Sequence, residues 1–364
     1  MIRVLQIVSS MNRAGIENAL MNYYRNIDRE QVQFDFLVAK ESRGAFDDEI
    51  ESLGGKIYRI PMSNPVKYLM GLNKFFRHHK EYDICHLHHL PWGSLTLPFA
   101  KLHGLHHRIS HVHFAKDTNG PLNIKLLMRK IGKSFSTEYM ACGRGAGEYY
   151  FGTKIIESDR FRVLLNAIES DKFDFNPSKR NDIRRKLGIN EECFVIGQVA
   201  RLRPVKNHKF TIDILSRLKN ELADVKLIIV GDGELEEELK SYTREKGVEE
   251  NCIFTGAVEN PYDYMQAMDF LIFPSEQEGL GLVAIEAQTS GLKTLASTGV
   301  PVECKLTDLV SFLCLTSGPD RWAEKILEEK DYERRGRTEY IRVAGYDAKT
   351  AAGKLQEFYL NLSR

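Results

Sequence analysis

Short apolar runs alternate with longer stretches of helical spacing along almost the whole chain, and this rhythm restricts the fold more than any other feature. Val4–Val8 reads as a buried strand, and Ile16–Ile27 follows with apolar residues one helical turn apart (Ile16, Leu20, Tyr23, Tyr24, Ile27). The alternation continues through Val32–Val38 (strand), Phe46–Leu53 (helix), Ile57–Ile60 (strand), Val66–Phe76 (helix), Ile84–Leu87 (strand) and Leu95–Leu102 (helix). Arg108–Val112, Glu138–Ala141 and Val163–Leu165 read as extended, separated by helical patterns at Leu122–Ile131 and Gly147–Phe151. Strands apolar on both faces belong to parallel sheets whose crossover helices cover both sides.

The polar stretch Asp171–Ser178, with Pro177 inside it, interrupts the rhythm and reads as a linker. A second series then starts. Its strands are Cys193–Val199, Val225–Val230, Cys252–Phe254, Phe270–Phe273 and Thr294–Ala296. Helical patterns fall near Phe210–Leu222, Leu235–Lys246, Tyr262–Met268 and Leu282–Thr289, and Asp347–Leu362 reads as a terminal helix. The fold class predicted is α/β, with two Rossmann-like, doubly wound parallel-sheet domains. Residues 1–170 form the first and 171–345 the second. Residues 346–364 are expected to return as a helix onto the first.

A chain of 364 residues is long enough for two sizeable cores. Its 51 Lys+Arg against 50 Asp+Glu leave a formal charge of +1, so no global field draws it to nucleic acid. The even total conceals an asymmetry. Residues 1–170 hold 23 Lys+Arg against 17 Asp+Glu and 10 of the 11 His, as expected of two domains with different tasks. The six Cys are scattered without a Cys-x-x-Cys pair, which suits plain core thiols in a reducing compartment. The opening apolar run is too short for a signal peptide, and no stretch approaches the ~20 apolar residues of a membrane span. The expected location is cytoplasmic, with any membrane contact peripheral at the inner face.

Three clusters carry the chemistry. In Gly197-Gln198-Val199-Ala200-Arg201-Leu202-Arg203-Pro204-Val205-Lys206-Asn207, a strand ends near Ala200 and a helix begins after Pro204. Arg201 and Lys206 therefore flank a loop beside a helix N-terminus, a setting that suits an anion. The plain alternative is a solvated basic loop. Val230-Gly231-Asp232-Gly233-Glu234-Leu235 is a second strand-to-helix turn, whose glycines allow close backbone approach to a phosphate or ribose. The plain alternative is a tight turn with Asp232 as a cap. The third cluster, Pro274-Ser275-Glu276-Gln277-Glu278-Gly279-Leu280-Gly281-Leu282-Val283-Ala284-Ile285-Glu286-Ala287, is the most informative. Glu278 lies in a glycine-containing loop. Glu286 lies about two turns into an otherwise apolar helix, where an acid is costly unless paired or ligand-bound. Vicinal ribose hydroxyls would satisfy it.

Glu278-x7-Glu286 resembles the paired-glutamate motif of retaining glycosyltransferase family 4, which has the GT-B fold of two Rossmann-like domains facing a cleft. Arg201 and Lys206 match that family's diphosphate-binding basic pair, and Gly231-Asp232-Gly233 its second-domain glycine turn. Leu165-Asn166-Ala167-Ile168 resembles the segment leading into its linker. Ala14-Gly15-Ile16-Glu17 stands where Gly-Gly-Ala-Glu is usual, so Ala14 replaces the first glycine. The sequence looks similar to bacterial exopolysaccharide or capsule glycosyltransferases.

The resemblance implies an acceptor-binding first domain and a nucleotide-sugar-binding second one. Arg201 and Lys206 would hold the diphosphate, Glu286 the ribose hydroxyls and Glu278 the donor-sugar hydroxyls. The N–H groups of Leu280 and Gly281, with Gly279 beside them, would approach sugar or phosphate, as would the backbone at Gly231 and Gly233. Gly15 would let the first loop approach the diphosphate. A histidine after the fifth strand would lie near the reacting sugar, His113 first and His111 as the alternative. The implied reaction moves a sugar from a UDP-sugar to a glycan or lipid-linked acceptor with retention of configuration. No Asp-x-Asp loop is present, so no metal and no cofactor is expected and fixed charges do that work. The rivals are a nucleotide-sugar 2-epimerase-like GT-B enzyme and a non-catalytic nucleotide-sugar-binding protein.

Two further features stand apart. His86-Leu87-His88-His89 and His111-Val112-His113 both read as lying at strand ends that face the cleft. Zinc is conceivable there, because alternate residues share a strand face, but no Cys or acid adds a ligand at metal spacing. Lys101–Lys133 holds seven Lys/Arg against one acid, Asp117, and within it Leu122–Lys133 is a basic amphipathic helix. It reads either as a core-packed helix with a solvated charged face or as a contact for anionic lipid headgroups or a lipid-diphosphate acceptor.

Overall fold

The computed structural model describes residues 1–13, 15–113 and 121–363. Ala14 and Asp117, which figured above, lie outside them. The chain divides into two compact units, Met1–Ile168 with Gly345–Arg364, and Glu169–Ala344.

The first unit holds seven parallel strands: β1 (Ile2–Val8), β2 (Val32–Val38), β3 (Ile57–Arg59), β4 (Ile84–Leu87), β5 (His107–Val112), β6 (Glu138–Ala141) and β7 (Phe161–Val163). Their spatial order is β3-β2-β1-β4-β5-β6-β7, so the winding reverses between β1 and β4. Strand residues alternate between two cores, as a period of two requires. Val4, Phe34, Phe36, Ile84, Ile109 and Met140 pack under the helices Gly15–Asn26 and Ala348–Leu362. Leu5, Leu37, Cys85, Tyr139 and Ala141 pack under Pro65–His78 and Thr96–Leu102 on the other side. The terminal helix is tied in at its base. Ile168 N–H donates to the Tyr346 carbonyl at 2.8 Å, and Ala348 N–H donates to the Ile168 carbonyl at 2.8 Å.

The second unit holds β8 (Phe194–Val199), β9 (Val225–Val230), β10 (Cys252–Phe254), β11 (Phe270–Phe273), β12 (Lys293–Ser297) and β13 (Val310–Leu313), all parallel. The order is β10-β9-β8-β11-β12-β13, with its reversal between β8 and β11. One face packs Ile196, Leu227, Ile229, Phe270 and Leu295 against the helices His208–Glu221 and Gly318–Glu329, with Trp322 fully buried.

The polar stretch read as a linker is structured instead. Ser170–Phe173 and Pro177–Lys186 are helices of the second unit. Asn176 caps the second of these through a 3.1 Å bond from Lys179 N–H, and Pro177 occupies its first position. Asn-Pro here is a helix-start signal, not a chain break. No helix is long and apolar enough to cross a membrane among the described residues.

Candidate active site

In a doubly wound sheet the ligand crevice lies beyond the carboxyl ends of the strands at the reversal point. In the second unit that point is flanked by the loops after β8 and β11, which carry the basic pair and the paired glutamates. The loops are fastened together. Glu276 N–H donates to the Val205 carbonyl at 2.9 Å, and Glu278 N–H donates to the Gly299 carbonyl at 3.1 Å.

The β8 loop closes as a short 3-10 turn, Pro204–Lys206, followed by Asn207 in the left-handed region at φ 55°. Gln198 holds it from the strand. Its Nε2 donates to the Lys206 carbonyl at 2.7 Å, while Thr211 Oγ1 donates to Gln198 Oε1 at 2.6 Å. Lys206 is thereby aimed at the β11 loop, where its Nζ meets Glu278 Oε1 at 2.5 Å. Arg201 is exposed on the same loop. The glycine turn after β9 is fitted against it: Leu202 N–H donates to the Asp232 carbonyl at 2.8 Å. Gly231 has φ +136°, and a Cβ there would overlap the Ala200 carbonyl. Gly233 is as confined, because a Cβ would stand 2.5 Å from the Leu202 carbonyl oxygen.

Gly281 caps the helix Leu282–Thr289 at φ +80°, and a Cβ would press on Val300 Cγ1 at 2.9 Å. Leu280 is half-buried and Gly279 exposed just before it. Glu286 lies on that helix and keeps some accessible surface. Among the described residues its carboxyl has no hydrogen bond or ion pair, and the protein around it raises its pKa to about 7 by desolvation alone. Lys206 and Glu278 are thus in contact, Arg201 and the Gly231–Gly233 turn share one loop assembly, and Glu286 stands unpartnered.

The first unit sorts its histidines differently from the expectation that both clusters lie at strand ends. His86 and His111 are fully buried inside β4 and β5, and His88 is 4% exposed. The pleat is the reason: these positions point to the face covered by Ala348–Leu362, where His86 Nδ1 meets the Tyr359 hydroxyl at 2.5 Å. His111, the alternative sugar-facing residue, is therefore a core residue. His113 follows the last residue of β5, is half-buried, and bonds through Nδ1 to Asn166 Oδ1 at 3.1 Å and through Nε2 to His88 Nδ1 at 2.9 Å. Burial holds its pKa down to about 4. Gly15 opens the first helix, and a Cβ there meets nothing within 4 Å.

Sequence reasoning passed over two residues. His208, buried at the start of the helix after Lys206, has no hydrogen bond to either ring nitrogen. Gln198, which sets the Lys206 turn, reads in the sequence as an ordinary strand residue. For Gln198 the signal available was a polar residue in an apolar run; His208, between Asn207 and Lys209, gave none.

The basic helix, Leu122–Phe135, also departs from its plain reading. Its buried face is Lys125, Met128 and Gly132, whereas Leu122, Ile124, Leu126 and Leu127 are exposed, at 70%, 40%, 53% and 54%.

Residues 179–340 match the family model described as "Glycosyl transferases group 1". The chain is 33% identical over 371 aligned positions, 98% of its length and 96% of the relative's, to a protein of Bacillus subtilis (strain 168) named "Putative glycosyltransferase EpsF". It is 28% identical to "Capsular polysaccharide biosynthesis glycosyltransferase CapH" of Staphylococcus aureus, over 79% of each chain. Among solved structures it resembles Anabaena Alr3699/HepE in complex with UDP, at 17% identity and a TM-score of 0.81, covering 99% of this chain and 100% of that one.

Proposed function

The chain belongs to the group 1 glycosyltransferases, with the two doubly wound sheets of the GT-B fold, and on that premise we propose that it transfers a sugar from a UDP-sugar to a glycan or lipid-linked acceptor in bacterial polysaccharide biosynthesis, with retention of configuration. The capsular name of the Staphylococcus aureus relative and the UDP in the Anabaena structure support the acceptor class and the donor base.

The observation that carries the reading is Glu286. A carboxylate with no partner and a pKa of about 7 is an unfinished contact, and a ribose diol finishes it with two O–H donors. Arg201 and Lys206, on the loop after β8, supply positive charge for the diphosphate. The leaving group gains charge as the glycosidic bond breaks, so fixed cations stabilise the transition state more than the ground state. In this scheme no divalent cation is needed at the diphosphate. Lys206 begins paired with Glu278, and the donor exchanges that contact: phosphate oxygens take Nζ, and sugar hydroxyls take the released carboxylate. Gly231 and Gly281 let the turns pack directly on the Ala200 carbonyl and on Val300, which holds the loops around the ligand in place. His113 is the histidine of the first unit that serves the reacting sugar.

The exposed leucines of Leu122–Phe135, beside Lys130 and Lys133, support a peripheral contact with an anionic membrane that holds a lipid-linked acceptor.

The test is UDP binding to the full chain, read as thermal stabilisation with and without Mg2+. A bound ligand raises the melting point by mass action. Stabilisation that is the same with and without the cation supports the scheme, and stabilisation that appears only with Mg2+ contradicts it.

A further inference from the structure

The histidines at the ends of β4 and β5 form a second chemical centre, of which His86, His88 and His111 have no part in the UDP reading. The two strands pair in parallel with Ile84 opposite His107 and His86 opposite Ile109. His86 and His111 therefore project from one sheet face, with His88 one residue beyond the end of β4 and His113 one residue beyond the end of β5. Ring centroids lie 4.2 Å apart for His86 and His88, 5.2 Å for His86 and His111, and 5.3 Å for His88 and His111. One ligand atom from each of these three lies within 4.8 Å of those of the other two.

The hydrogen bonds leave this cluster short of positive charge. His86 Nε2 is buried with no partner, and neither ring nitrogen of His111 makes a hydrogen bond of good geometry, with only the Leu164 backbone beside the ring. Each such group costs about 1–3 kcal/mol if left dry, and native interiors rarely tolerate three together. At the outer edges, Gln6 Oε1 meets His88 Nε2 at 2.9 Å, and Asn166 Oδ1 meets His113 Nδ1 at 3.1 Å. Both oxygens accept, so both outer nitrogens carry the ring proton. The inner pair, His88 Nδ1 and His113 Nε2, then face each other at 2.9 Å as two lone pairs. A cation belongs between them and the unpartnered nitrogens. Neutral imidazole is the form that binds a metal.

We propose that His86, His88 and His111 form a binding site for a divalent transition-metal cation of the zinc class. The ligands are His86 Nε2, His88 Nδ1 and one nitrogen of His111, with the fourth position on the side of His113, where the cluster has accessible surface. Three imidazoles with no carboxylate select zinc, cobalt, nickel or copper over magnesium or calcium, which require oxygen. The outer contacts match the way metal-bound histidines are usually braced, each by a hydrogen bond at its other nitrogen. Gln6 braces His88, and the Tyr359 hydroxyl braces His86 at 2.5 Å. Tetrahedral coordination at zinc–nitrogen distances of about 2.0–2.1 Å puts ligand nitrogens roughly 3.3 Å apart, so the rings draw in by about 1.5 Å at most from the 4.8 Å observed. The site ties β4 and β5 to the terminal helix through Tyr359, and its expected effect is on the stability of the first unit.

The experiment uses the full chain without a polyhistidine tag, stripped with chelator and titrated with Zn2+ and separately with Co2+. The expected result is one tightly bound ion per chain, with cobalt giving the visible absorption of tetrahedral nitrogen coordination. His86→Gln and His111→Asn each weaken binding by ~100-fold, while stabilisation by UDP persists as the readout that the second unit is intact. Crystals grown with Zn2+ give a reading that needs no variant: anomalous scattering is expected between the three rings. Failure to bind the ion, binding unchanged in both variants, or zinc found only at surface histidines such as His78 or His106 overturns the proposal.

Discussion

At the reversal point of the second sheet the chain gathers fixed charges on loops, whereas at the ends of β4 and β5 in the first sheet it gathers neutral rings in the core. Arg201 is exposed and the Lys206–Glu278 pair is only partly covered, so water and ligand can both reach them. Charges in such a place are exchangeable, and they suit a polyanion that must arrive and leave. His86 and His111 are sealed under Ala348–Leu362, and groups in such a place hold what they hold. On the two proposals above, one topology used twice would yield a site that turns over and a site that stays occupied. The difference is set by which side of the strand end the polar residues occupy: the loop beyond it, or the pleat within it.

The comparison breaks most visibly at the charged site. Arg201→Ala and Lys206→Ala should each lower turnover by about 10- to 1,000-fold, measured as UDP release in the presence of acceptor. Turnover at the level of the unsubstituted chain in either variant removes the diphosphate assignment. Lys206→Arg should recover little, because the Gln198-held turn aims a single Nζ, not a planar fork.

Next in size is Glu286. Glu286→Gln should weaken UDP binding by roughly 10-fold, the cost of a charge-assisted contact. The pH dependence sharpens this. The free carboxyl is raised from 4.5 to about 7, so below that value it is largely protonated. The diol favours the ionised form, so binding takes up the cost of deprotonation at low pH and UDP affinity should rise from pH 5.5 to 7.5. In Glu286→Gln the profile should be flat across that window. A wild-type profile that is already flat would show that this carboxyl does not meet the ligand. The stability of the ligand-free chain should run the other way. A raised carboxyl pKa means the folded state binds the extra proton, so this contribution is lost as pH climbs from about 4.5 through 7.

Gly231→Ala tests the backbone share of the same site. At φ +136° with the Ala200 carbonyl in the way, an added methyl should cost about 1–3 kcal/mol, read as a lower melting point of the second unit. Gly15→Ala, with open space at its Cβ, should leave stability within about 0.5 kcal/mol. The smallest effect concerns the basic helix. Leu126→Glu with Leu127→Glu should reduce flotation on anionic vesicles while leaving UDP stabilisation intact. Equal flotation on neutral and anionic vesicles would remove the electrostatic part of that contact.

Much of this was legible in the sequence, and where it was not the reasons are physical. Short apolar runs rich in β-branched and aromatic residues, such as Phe270–Phe273, marked buried parallel strands because they are too short for helices. The exposed site was legible for the opposite reason. Arg201, Lys206, Glu278 and Glu286 stand out because each is a charge beside glycines or apolar residues. β13 and the helix Gly318–Glu329 escaped notice, since Val310–Leu313 is short and half-buried and gives little contrast. Asp171–Ser178 misled because capping residues and linker residues are the same types. The histidines could be counted, but their faces could not: assigning His111 to the core needs the register of β5 against β4, which depends on contacts far apart in the chain. In the same way, the buried side of Leu122–Phe135 depends on what lies beneath it, and the hydrophobic spacing alone pointed to the wrong face.

The central claim is that positive side chains at 201 and 206 and an acid at 286 grip the nucleotide without a divalent cation. Calorimetric titration of the full chain with UDP in the presence of EDTA, repeated for Lys206→Ala, tests it most directly. The account predicts one saturable UDP site that survives the chelator and weakens by roughly 10-fold or more in the variant. Binding abolished by EDTA and restored by Mg2+, with Lys206→Ala indistinguishable from the unsubstituted chain, would contradict it.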